Sequence, residues 1–182
     1  MHELSEDSPR SDAALVAAYR SGDEAAATEL VTRHGGALGR YLYAAGAALS
    51  DVEDLVQEAF FRAFRALESW RGEASFRGWL FRIGSNLRKD QYRRNAGRVH
   101  MSIEDHEIAD HSDPLGEAGA SEMEARLQRG LRVLPRLQRE VFLLRAQQGM
   151  GYEDIGTALG TTPGAARVHY HHAVKRLKEL MQ

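Results

Sequence analysis

The 182-residue chain is 43% hydrophobic and 27% charged, with a net charge of −2, which permits one or two small folded domains. It holds no apolar run of about 18 residues, so no membrane-spanning helix is expected, and the acidic opening MHELSEDSPRSD lacks the apolar core of a signal peptide. There is no cysteine, which removes disulfides, CxxC zinc sites and thiol redox sensing and fits a reducing cytosol.

The small net charge hides an alternation. Residues 1–61 carry 4 basic and 11 acidic side chains, and residues 62–98 carry 10 and 3. Residues 99–125 carry none and 8, and residues 126–182 carry 10 and 4. Two basic blocks separated by an acidic one suggest two polyanion-binding modules on one chain. The plainer reading of any one block is solvated surface, but the sign changes coincide with helix and linker boundaries.

Residues 1–11 are polar and acidic and are expected to be disordered. Asp12 can cap a helix carrying Leu15, Val16 and Tyr19 that stops at Ser21-Gly22. Asp23 can open the next, through Leu30 and Val31, which Gly35-Gly36 should break or kink before Leu38, Tyr41 and Leu42 resume and Gly46 ends it. Ser50 and Glu53 form an S-x-x-E capping box for a helix whose apolar residues, Val52, Leu55, Val56, Ala59, Phe60, Ala63, Phe64 and Leu67, recur at i, i+3, i+4. After a loop over 68–74, Ser75 can cap a basic helix. Phe76, Trp79, Leu80, Ile83 and Leu87 mark its apolar face, and Arg82, Ser85, Asn86, Lys89 and Arg93 form the other stripe.

Residues 99–120 contain Pro114, Gly116, Gly119 and many acids with little periodicity, and read as a flexible linker. Ser121 and Glu124 form a second capping box before Met123, Leu127, Leu131 and Leu134. Pro135 suits a first helical turn leading to Leu137, Val141, Phe142 and Leu144, ended by Gln148-Gly149. Tyr152, Ile155 and Leu159 form a short helix closed by Gly160, and Thr162-Pro163 opens a last, long one. No sustained period-two alternation signals a strand. The expected fold is all-α: two small helical domains, residues 12–98 and 121–182, joined by the flexible acidic linker 99–120.

Residues 149–178 read as a helix-turn-helix. In its second helix Ala166, Tyr170, Ala173, Leu177 and Leu180 should face inward, which leaves Arg167, Val168, His171, His172 and Lys175 outward, where a recognition helix meets base edges and phosphates. Two short packed helices of any kind look similar, so this motif is weak alone. His169, His171 and His172 invite a metal reading, but only His169 and His172 share a helical face and no further ligand sits at suitable spacing. No metal and no cofactor is expected. Asp51, Glu53, Asp54 and Glu58 could in principle take a divalent ion, yet they sit at capping and helix-face positions. A hydrolase or nuclease would need a carboxylate constellation, a nucleophile motif or metal spacing, and none is present.

Two segments now carry a resemblance. DVEDLVQEAFFRAFRAL followed by FRGWLFRIGSNLRKDQYRR resembles region 2 of bacterial sigma factors of the extracytoplasmic-function (group IV) class, and LPRLQREVFLLRAQQGMGYEDIGTALGTTPGAARVHYHHAVKRLKEL resembles region 4. Together they extend over roughly residues 12–180. The resemblance implies a cytoplasmic, non-enzymatic protein that binds core RNA polymerase and promoter DNA, with no small-molecule substrate. It implies that Asp54, Leu55, Gln57, Glu58 and Phe61 dock on the largest polymerase subunit, against the plainer view of a solvated helix face. It implies that Trp70, Arg71, Ile83, Gly84 and Asn86 line a pocket for a flipped base of the −10 element, with Arg77, Arg82, Lys89, Arg93 and Arg94 on phosphates of the opened strand. The competing view of Trp70 is a core aromatic. Arg167, Val168, His171, His172 and Lys175 would then read the −35 element. An anti-sigma factor is the expected regulatory partner, and the acidic linker would thread the polymerase near nascent RNA. The chain departs from the family in having Gly156 where alanine is usual, expected to loosen the short helix by up to about 1 kcal/mol. It also has histidines where arginine or serine is frequent. The alternative is a stand-alone helix-turn-helix regulator, which leaves residues 50–94 without a role.

Overall fold

The computed structural model describes residues 10–98 and 122–181. Among them are eight α-helices and no strand. The first four are α1 (Asp12–Arg20), α2 (Glu24–Ala44), α3 (Leu49–Ala66) and α4 (Phe76–Arg98). They enclose a core of Leu15, Leu30, Leu38, Tyr41, Leu42, Phe60, Phe76, Leu80 and Phe81. The last four are α5 (Glu122–Arg132), α6 (Arg136–Phe142), α7 (Tyr152–Leu159) and α8 (Pro163–Met181). Leu131, Leu134, Val141, Leu144, Ile155, Ala166, Ala173 and Leu177 are buried among them.

Local chemistry explains most helix ends. Asp23 caps α2, accepting from the Ala25 N–H at 3.1 Å. Gly22, Gly46, Gly149 and Gly160 turn the chain at positive φ, where a side chain would be strained. Ser75 accepts from the Gly78 N–H at 2.9 Å and caps α4. Thr162 does the same for α8 through the Ala165 N–H at 3.1 Å. Pro135 stands one residue ahead of α6 as its cap, and a π-type turn over Leu143–Gln147 extends that helix.

Four expectations need correction. Ser11, not Asp12, caps α1. Asp12 is the first helical residue, and its carboxylate is engaged by Arg33 at 2.8 Å and by His34 at 2.7 Å. The Ser50–Glu53 box does not form, because α3 begins at Leu49 behind Ala48 and no side chain caps it. Ser50 donates to Asp51 instead, and Glu53 accepts from Gln57. Helix α2 runs through Gly35-Gly36 without a break. Leu30, His34 and Leu38 are buried on either side of the pair, and that packing outweighs about 1 kcal/mol of lost propensity per glycine. Leu180, expected inward, is 44% exposed in the last turn of α8. The proposed Ser121–Glu124 box, the linker 99–120 and nearly all of the N-terminal tail lie outside the described residues.

The two halves share a seam. Helix α7 lies along α4, and α6 approaches α4 near its middle. Gly78 makes this possible: a Cβ there would sit 3.2 Å from the Asp154 Cα.

Candidate nucleic-acid and polymerase interfaces

The first face lies on α3. Asp54 and Gln57 are exposed, and Glu58 accepts from Arg62 Nε at 2.6 Å. Phe61 is 55% exposed, with the Arg65 guanidinium 5.5 Å from its ring centre. An apolar ring held in solvent beside carboxylates suits a protein contact with a charged rim. Leu55 does not belong to that surface. It is 7% exposed and faces the core, because it sits one position from Asp54 on the helix and so points about 100° away.

The second face is the 67–75 loop with α4. Trp70 is half-buried, stacked on Trp79 with centroids 5.9 Å apart and edge-on to Phe76 at 6.3 Å. Arg20 fixes this loop: it donates to the carbonyls of Leu67 and Trp70 and lies 5.9 Å from the Trp70 ring. Sequence reading missed Arg20, since nothing local marks a contact 47 and 50 residues away. Trp70 is therefore both part of the aromatic core and wall of a cavity of about 610 Å³, which Arg71, Asp12, Glu153 and Asp154 also line. Ile83, Gly84 and Asn86 are not among the residues lining it. Ile83 is half-buried against the core, and Asn86 is exposed. A Cβ on Gly84 would lie 2.9 Å from Leu38, so Gly84 serves helix packing.

The basic residues of α4 divide by helical position. Arg82, Asn86, Arg93 and Arg94 are exposed, as is Arg71 in the loop. Arg77 is turned into the seam, donating to the Gln148 carbonyl at 2.7 Å and packing 5.6 Å from the Phe81 ring centre. Lys89 is half-buried, and burial pulls its ammonium below the ordinary lysine range.

The third face is on α8. Arg167, Val168, His171, His172 and Lys175 are all exposed on one side. Arg167 is steadied over Tyr152, 5.3 Å from the ring centre. His172 and Lys175 line a shallow groove with Pro135, Gln138, Arg176 and Glu179. His169 turns inward, and its buried Nδ1 has no partner. Among the described residues no group of three or more His, Cys, Asp or Glu could hold a metal ion. Gly156 does not loosen α7. A Cβ there would lie 2.9 Å from the Thr161 carbonyl oxygen, and the Thr161 N–H donates to the Gly156 carbonyl at 2.9 Å. The glycine lets the turn of the helix-turn-helix close against α7.

The seam holds polar groups that sequence reading did not single out. Arg88 of α4 pairs with Glu140 of α6, their side chains 10% and 1% exposed. Tyr41 donates to Ser85 at 3.4 Å in the same interior, where burial pushes the phenol above its ordinary range.

Comparison with known proteins follows the same division. Residues 30–98 match the sigma-70 region 2 family model, and residues 124–177 match the sigma-70 region 4 model. The chain is 35% identical over 179 residues to the RNA polymerase sigma factor NccH of Alcaligenes xylosoxydans xylosoxydans, with 96% of each chain covered. It is 31% identical to the ECF RNA polymerase sigma-E factor of Haemophilus influenzae, covering 94% of this chain and 95% of that one. Among solved structures it is similar to CnrH in complex with the cytosolic domain of CnrY, with a TM-score of 0.70, 32% identity, and 93% and 96% of the two chains covered. No helix among the described residues is long and apolar enough to cross a membrane.

Proposed function

Because this chain belongs to the extracytoplasmic-function RNA polymerase sigma factors, proteins of transcription initiation, we propose the following division of labour along it. Residues 12–98 engage core RNA polymerase and the −10 element, residues 121–182 engage the −35 element, and the acidic segment 99–120 joins them. The α3 surface of Asp54, Gln57, Glu58 and Phe61 docks on the polymerase. The α8 face of Arg167, Val168, His171, His172 and Lys175 lies in the upstream major groove. Trp70 and Arg71 receive a base leaving the stack, Asn86 reads an edge, and Arg82, Arg93 and Arg94 hold phosphates of the opened strand. The protein makes and breaks no covalent bond. Tighter binding to the single-stranded state than to the duplex draws the promoter open. This work is done in the cytoplasm, and the kinship with CnrH, which has a complex with CnrY, supports a protein partner of the anti-sigma type.

The observation that carries the reading is the presence in one chain of two separate basic helices. One is backed by a pinned aromatic loop, and the other belongs to a helix-turn-helix with its outer face in solvent. A stand-alone regulator uses only the second. The test is in vitro transcription with purified core polymerase on a library of promoter fragments from the source genome. Wild type gives discrete start sites, Asp54→Ala/Gln57→Ala loses polymerase binding, and Asn86→Ala binds polymerase but does not open promoters. A chain that shifts specific duplexes alone and never directs polymerase would replace this reading with the regulator.

A further inference from the structure

The loop over 67–75 is gripped from outside the segment that matches the region 2 family model, residues 30–98. Arg20 is the last residue of α1. A single guanidinium nitrogen, Nη2, donates to the carbonyls of both Leu67 and Trp70. The guanidinium carbon lies 5.9 Å from the centre of the Trp70 ring. One side chain therefore holds the Trp70 backbone and its indole together. Helix α1 is itself firmly seated. Leu15 and Val16 are buried, and Tyr19 packs on Phe64 with ring centroids 5.1 Å apart. At the opposite end of α1, Asp12 is engaged by Arg33 and His34. Arg20 also lines the cavity that Trp70 and Arg71 wall.

We propose that Arg20 is a positioning residue for reading the −10 element: it holds Trp70 and its loop in the shape that decides which unstacked base the cavity accepts. The inference rests on the proposed capture of a base by Trp70 and Arg71. Its physical basis is preorganisation. A loop whose carbonyls and ring are already fixed incurs little ordering cost when a base enters. A wall held in one place also rejects a base of the wrong shape, whereas a loose wall adapts to any base. Arginine suits this task because its planar fork donates in fixed directions and its flat face rests on an aromatic ring. Lysine carries the same charge as a compact ammonium and has no planar face. Arg20 acts through Trp70, and its role requires no contact of its own with DNA.

The test uses holoenzyme assembled from the full chain and purified core polymerase, with a fork-shaped DNA whose single-stranded −10 segment is randomised. Bound strands are sequenced for wild type, Arg20→Lys and Arg20→Met. Wild type is expected to enrich one base by about tenfold or more at the captured position. Both variants are expected to reduce that enrichment to about twofold or less, because the wall is no longer preorganised. Preferences at the other positions are expected to stay as in wild type. Arg20→Lys keeps the charge, so its loss of preference separates positioning from a plain phosphate contact. A lysine variant that reads like wild type beside a deficient methionine variant makes Arg20 a simple charge on the strand and overturns the inference. An unchanged preference in both variants overturns it too, as does a uniform loss at every position. Wild type that enriches no base fails the sigma reading instead. The grip of Arg20 is then judged in the chain alone, where Trp79→Phe leaves Trp70 as the one tryptophan. Acrylamide is expected to quench Trp70 more readily when Arg20→Lys is added, and equal quenching rejects the grip.

Discussion

Helices α4 and α8 are both long, basic and assigned to DNA, yet their surroundings differ. Helix α4 packs on the N-terminal bundle through Phe76, Leu80 and Leu87 and on the C-terminal helices through Arg77 and Arg88. Among its described basic residues, only Arg82, Arg93 and Arg94 are left exposed to solvent. Helix α8 buries Ala166, Ala173 and Leu177 and leaves a whole face open. A basic residue on α8 is therefore available for a phosphate as it stands. A basic residue on α4 is available only if it points away from both neighbours. The helix-wide count of arginines does not measure DNA-binding capacity; the residual exposure does.

That contrast is most easily broken through stability. Phe81, fully buried beside Tyr41, is expected to lose about 3–5 kcal/mol on replacement by alanine. Val168→Ala, at a position 52% exposed on α8, should stay within about 0.5 kcal/mol. Urea unfolding compares them, and similar losses would show that α8 is as embedded as α4. Helix α7 touches both helices, and Gly156→Ala probes it. Its Cβ would meet the Thr161 carbonyl oxygen at 2.9 Å, so a loss of about 1–3 kcal/mol is expected. A neutral or stabilising result, as simple helix propensity would give, would refute the packing role.

Salt titration of duplex binding sharpens the contrast between charges. Lys175→Ala should lower the slope of log K against log salt by about 0.9. Lys89→Ala, half-buried near Glu140, should leave that slope unchanged. The smallest effect is expected at acid pH, in the N-terminal bundle alone. Burial raises the Asp12 carboxyl, but hydrogen bonds and charge from His34 and Arg33 more than offset this and hold it below the ordinary range. A carboxyl depressed in the folded state contributes stability that is full above its unfolded value, near about 3.9, and lost as pH falls through the folded one. Tm should therefore drop below about pH 4, and Asp12→Asn should flatten that drop.

Much of the architecture was legible because it rests on short-range rules. Asp23, Ser75 and Thr162 cap the helices that their positions announced. Gly160 turns the helix-turn-helix at φ 69°, and the five outward positions of α8 are all exposed. Expectations failed where distant packing overrode a local preference. Gly35-Gly36 did not interrupt α2, and Gly156 proved to be a close-approach residue. Leu55 and Gly84 were absorbed into the core. Arg20, which pins the Trp70 loop, carried no local signal at all.

The amino-acid sequence by itself determined the all-helical class, most helix boundaries and the separation of two basic modules. Propensity, capping and periodicity act between residues a few positions apart, so they can be read along the chain. Only the tertiary structure decided which charges remain available. The pairing of Arg88 with Glu140 joins residues 52 positions apart, and the placement of Asp154 on Ser75 joins residues 79 apart. Such contacts depend on how whole helices pack, and nothing in the local sequence around either partner encodes them.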